Sequence, residues 1–124
     1  MILELNSADW PVFCERLSQR RVGSIVKIET LESDGVRTER ISSAVFEGVV
    51  FDPISNPCND LITFRLSNSR EILYQIIEPI HIKLHASKEP EDYNPIQIEA
   101  ENGTTYVTLH PAIHAPMLEG LKMR

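Results

Sequence analysis

Residues 96–109 read IQIEAENGTTYVTL, and their reading decides the fold. Ile96 and Ile98 on one side of Asn102-Gly103, and Tyr106, Val107 and Leu109 on the other, are β-branched, aromatic or apolar residues, with 96/98 and 107/109 two positions apart. Asn-Gly is the strongest short hairpin signal, because a type I′ turn needs two residues at positive φ. The stretch therefore predicts two antiparallel strands, with Ile96-Gln97-Ile98 returning as Tyr106-Val107-Thr108-Leu109.

Upstream, Ile80, Ile82 and Leu84 alternate with His81, Lys83 and His85, a strand with one wet face. The acidic loop Ser87-Lys88-Glu89-Pro90-Glu91-Asp92-Tyr93-Asn94-Pro95 joins it to the hairpin. Pro79 interrupts any ladder running through it. Residues 61–66 and 72–77 flank Ser67-Asn68-Ser69-Arg70, a hairpin connection by composition. Asp52-Pro53-Ile54-Ser55-Asn56-Pro57-Cys58-Asn59 is a loop by its prolines and asparagines.

Toward the N-terminus the period persists. Val22, Ser24, Val26 and Ile28 alternate with Ile25, Lys27 and Glu29, and Glu32-Ser33-Asp34-Gly35 turns the chain into a β-branched run over residues 38–51. Gly48 inside that run marks a bulge or bend. Before Gly23 the period is helical, since Trp10, Phe13, Cys14 and Leu17 fall at i, i+3, i+4 and i+7. A helix over residues 8–20 follows, with Ser7 or Asp9 as its cap and Pro11 in its first turn.

The sum is an α+β chain, mainly β: one N-terminal helix packed on about seven short antiparallel strands. That many strands in so short a chain must curl into a bent sheet or small barrel. Residues 1–110 form one domain. Residues 111–124 form a C-terminal arm or short helix, whose Ile113, Met117, Leu118 and Leu121 need an apolar surface to dock on.

Composition narrows the function. At 124 residues and 42% hydrophobic the chain supports one core. Neither a signal peptide nor a membrane-spanning run is expected, and two cysteines are too few for a disulfide framework, which together point to a cytoplasmic protein. A formal charge of −6 disfavours nucleic acid. The bases Arg16, Arg20, Arg21 and Lys27 gather in the first 27 residues, whereas residues 86–102 hold five acids against Lys88, a mild dipole without a basic patch.

The histidines fall as two His-x-x-x-His pairs. His81 and His85 lie on a strand, where the spacing separates them by about 13 Å. His110 and His114 chelate a metal only if Pro111 opens a helical turn, and Cys58 or an acid of the 86–102 segment would have to complete the site. Cys14 reads as core, and Cys58 has no base beside it in sequence. Glycine-rich phosphate loops and nucleophile elbows are absent from the sequence, and the acid pairs Glu91-Asp92 and Glu99-Glu101 are flanked by polar residues.

The Trp10/Phe13 helix, Arg20-Arg21-Val22-Gly23, Phe46-Glu47-Gly48-Val49, Glu78-Pro79-Ile80-His81-Ile82 and the Asn102-Gly103 hairpin together resemble a family of small bacterial proteins known only as a domain of unknown function. The resemblance spans residues 8–110. It implies a bacterial, cytoplasmic protein and carries over no catalytic residues. The expected function is a non-catalytic binding or protein-interaction module without a cofactor, whose partner is a second copy or another protein. Arg16, Arg20, Arg21, Ile113, Met117, Leu118 and Leu121 are its candidate surface, and removing residues 111–124 is expected to alter the oligomeric state. The alternative is a metal-dependent enzyme using His110 and His114; a nucleic-acid-binding barrel ranks third.

Overall fold

The computed structural model describes residues 1–53, 60–87 and 92–124. In chain order these form β1 (Ile2–Glu4), a 3₁₀ turn (Ser7–Asp9), α1 (Trp10–Arg20), β2 (Ile25–Leu31), β3 (Arg37–Asp52), β4 (Leu61–Ser67), β5 (Glu71–Ile77), β6 (Pro79–Ala86), β7 (Asp92–Ala100), β8 (Gly103–His110), β9 (Ile113–His114) and a 3₁₀ turn (Ala115–Leu118). All strands join one antiparallel sheet in the order β1-β6-β7-β8-β2-β3-β4-β5, with β9 paired to β7. No helix among the described residues is long and apolar enough to cross a membrane.

The connectivity forces the sheet to curl. β5 lies at one edge and β6 is second from the opposite edge, yet only Glu78, at φ 53°, separates them. A single residue links them only if the sheet's two ends approach each other. The 16-residue β3 assists, because Arg37–Val45 pairs with β2 while Val45–Asp52 pairs with β4. The register shift between Phe46 and Gly48 is the bulge expected at Gly48. The sheet curls without closing, so β1 and β5 remain as edges.

Inside the curl sit Val26, Ile28, Phe46, Phe64, Leu66, Ile82, Leu84, Ile96, Ile98, Val107 and Leu109, all at most 2% exposed. Trp10, Phe13, Cys14 and Leu17 of α1 are buried too, and Trp10 meets Phe51 edge-on with ring centroids 5.7 Å apart. Ser18 fastens the helix to β3: its Oγ accepts from Val49 N–H (2.8 Å), and its own proton has the carbonyls of Cys14 and Val49 within 2.9 Å. Replacing Ser18 with Ala strands the Val49 amide. Urea denaturation of Ser18→Ala should show a loss of about 1–3 kcal/mol.

Several expectations need correction. The seven expected strands form as β2 to β8, and among the described residues two more, three-residue β1 and two-residue β9, join them, each too short to carry a period. The β7–β8 hairpin exists, but Ala100 pairs with Gly103, so Glu101-Asn102 is the two-residue loop. Neither loop residue has positive φ; only Gly103, at φ 148°, does. Ile80 is 51% exposed, because a register shift between Pro79 and His81 turns it away from the face of Ile82 and Leu84. Asp9 occupies the N-cap position of α1 without capping it; its Oδ2 instead accepts from Lys122 N–H at 2.6 Å. Cys58 and residues 88–91 lie outside the described residues.

Candidate functional site

The two edges of the sheet are treated differently. On β1, the outer edge is covered by the tail: Asn6 N–H donates to Lys122 O and Arg124 N–H to Glu4 O, each at 2.8 Å, and Leu5 bridges Met123. On β5, the only strand partner among the described residues is β4. Its sequence, EILYQII, has none of the lysine, proline or glycine that usually protects an edge. Ile76 points into the core, while Leu73 and Ile77 are 56% and 52% exposed.

Beside this edge lies a cleft of about 360 Å³, its far side formed by the mid-sheet strands β2, β3, β7 and β8. Tyr74, Gln75, Ile76 and Ile77 line one wall; Ala100, Asn102–Thr105, Thr30, Leu31, Glu32 and Arg40 line the rest. Arg40 is bound to Glu32 Oε1 at 2.5 Å and to Thr30 Oγ1 at 2.9 Å. Directly beyond Ile77 and Ala100, Glu78 and Glu101 share a side-chain hydrogen bond. That bond, then partial burial, then the Glu101 charge hold Glu78 above the ordinary carboxylate range.

A second polar surface covers the outside of β1, β6 and β7. His81 Nδ1 lies 2.8 Å from Glu4 Oε2, Arg124 reaches the same oxygen at 3.0 Å, and Lys83 binds Glu99 at 3.0 Å. His85 Nε2 meets Gln97 Oε1 at 2.6 Å, and Gln97 donates to Glu99 at 3.0 Å. The His81 hydrogen bond, followed by the charges of His81, Arg124 and Lys83, lowers Glu4 below its ordinary 4.5 despite desolvation. A carboxyl whose folded value is depressed stabilises the fold fully above its unfolded value and loses that contribution as pH falls through the folded one. Urea midpoints below pH 4.5 should therefore fall more steeply for wild type than for Glu4→Gln.

The residues singled out from sequence have definite places. Arg16 Nη1 donates to Met117 O at 3.1 Å and to Glu119 O, and Arg21 Nε donates to Ala112 O at 2.8 Å. Arg20 is exposed at the end of α1. Ile113, Met117 and Leu118 are buried in the chain's own core, and Leu121 packs half-buried against it. Arginines and tail thus hold each other. His110 is exposed at the end of β8 and His114 pairs with Asp92 through Nδ1. Residues 113–114 are extended, not helical, so the chelating turn does not form. Among the described residues no three His, Cys, Asp or Glu side chains gather as a metal group. Cys14 is buried on the helix face, and desolvation pushes its thiol up to about 12.

Sequence reading missed the β5 edge and the Glu78–Glu101 pair. The lack of gatekeepers in EILYQII is visible in the sequence, but it signals an exposed edge only once the strand order is known. Comparison with family models, curated proteins and solved structures finds no match to this chain.

Proposed function

We propose that this chain is a non-catalytic protein-interaction module whose working surface is the open edge of β5 with the cleft beside it. The observation that carries the reading is the asymmetry of the sheet: the tail covers the β1 edge, while β5 is an apolar strand whose only strand partner among the described residues is β4. An extended segment added there gains main-chain hydrogen bonds for affinity and side-chain pockets for specificity. The cleft wall formed by Tyr74, Gln75, Ile76 and Ile77 supplies such pockets. Placing lysines on the edge opposes strand addition.

The test is selection of displayed random peptides against the wild-type chain, with Leu73→Lys/Ile77→Lys as the counter-target. Binders that the variant loses support the reading. A selection yielding none, or binders that the variant retains, removes it. Sedimentation of the same two proteins identifies a second copy as the partner if wild type alone forms a dimer.

A further inference from the structure

Along the inward face of the sheet the apolar core gives out at one end. The inward positions of β8 run Leu109, Val107 and then Thr105, and those of β2 run Val26, Ile28 and then Thr30. Together with Tyr74 and Ile76 of β5 and Ala100 of β7, Thr30 and Thr105 line the cleft. Its volume of about 360 Å³ falls within the ~300–1,000 Å³ of small-ligand pockets, and such pockets form in the mouths of β-barrels. Its charges already answer each other: among the described residues that line it only Glu32 and Arg40 are charged, and they bind each other, with Thr30 Oγ1 accepting from Arg40. Two hydroxyls are left over. Thr105 is 7% exposed and Tyr74 is half-buried, and among the described residues neither side chain has a hydrogen-bond partner. Neither is sealed in, because the only buried side-chain polar atom without a partner among those residues is Trp10 Nε1. Both hydroxyls are therefore accessible, and Thr105, inward-facing on a strand flanked by β2 and β7, is reached through the cleft.

We infer that the cleft is a binding site for a small neutral polyhydroxyl compound, a monosaccharide or cyclitol, whose hydroxyls pair with Thr105 and Tyr74 while its C–H face lies on Ile76 and Ala100. The donor and acceptor chemistry selects this class. A hydroxyl both donates and accepts, so a ligand hydroxyl satisfies Thr105 or Tyr74 in either role. A carboxylate only accepts and an ammonium only donates, and neither finds a free countercharge while Arg40 and Glu32 hold each other. The site uses inward side chains, not the main-chain edge of β5, so it does not depend on strand addition there.

Titration of the nitrogen-15-labelled full chain with glucose, galactose, mannose and myo-inositol, followed by amide NMR shifts, tests this. At least one of the four should shift the amides of residues 74–77 and 102–105, with a Kd of about 1–10 mM. Thr105→Val keeps the side-chain shape and removes the hydroxyl. It should weaken binding about fivefold or more, with the urea midpoint unchanged or raised because that hydroxyl has no protein partner to lose. Tyr74→Phe makes the same deletion on the other wall and serves if Thr105→Val fails to fold. Glucuronate and glucosamine, which place an anion or a cation on the glucose ring, should bind about tenfold more weakly than the tightest of the four. An ionised sugar that binds as tightly as that one overturns the neutral assignment. No shifts with any of the four, shifts confined to residues away from the cleft, or wild-type affinity in both variants overturns the site.

Discussion

A chain cut after His110 is expected to lose cooperative folding, with no well-defined change in subunit number. The missing residues 111–124 include Ile113, Met117 and Leu118, which are 0, 4 and 8% exposed. Fully burying an apolar side chain of this size contributes about 1.5–3 kcal/mol, so three amount to a large share of the roughly 5–15 kcal/mol that holds a domain together. The cut also removes the carbonyl partners of Arg16 and Arg21 and bares the β1 edge. Near-ultraviolet circular dichroism and dye binding check the outcome. A truncated chain with a sharp urea transition at the wild-type midpoint would contradict this account of the tail.

Phe46→Ala should destabilise the chain by about 3–5 kcal/mol, in the range for a buried aromatic replaced by alanine. Phe46 is completely buried, its ring centroid 6.4 Å from that of Phe64. It also lies where the segment leaving α1 is tied to β3: Gly23 N–H donates to Phe46 O at 2.8 Å and Phe46 N–H to Ser24 O at 2.7 Å. The cavity would open beside that tie. Phe46→Leu keeps most of the volume and should cost less, so urea midpoints should rank wild type, Leu, then Ala. A drop below 1 kcal/mol for Ala would mean that the core collapses around the gap.

The sequence exposed those parts of the fold that rest on local periodicity. Trp10, Phe13, Cys14 and Leu17 betray the helix because one face must be apolar, and Gly48 betrays the bulge because an extra residue there needs a permissive backbone. The tail's role was legible only halfway. Its apolar residues demand a surface, but the sequence does not say whether that surface is foreign or the chain's own. The exposed Ile80 illustrates another limit: a one-residue register shift reverses a side chain without altering the alternation on paper. Long-range adjacency was the least visible. Glu78 and Glu101 are 23 positions apart, and the β6–β7 pairing, with Pro79 opposite Ala100, brings them together.

The covering of β1 by residues 122–124 has a kinetic consequence. Leu5 bridges Met123, and β2 pairs with β8 across some eighty residues. Topologies dominated by such distant pairings fold slowly, on the order of milliseconds to seconds, because loop-closure entropy is lost before the contacts form. The β4–β5 hairpin, closed by a short local turn, forms early by comparison. Its apolar outer strand is then displayed while distant segments search for each other, so refolding yield should fall as protein concentration rises.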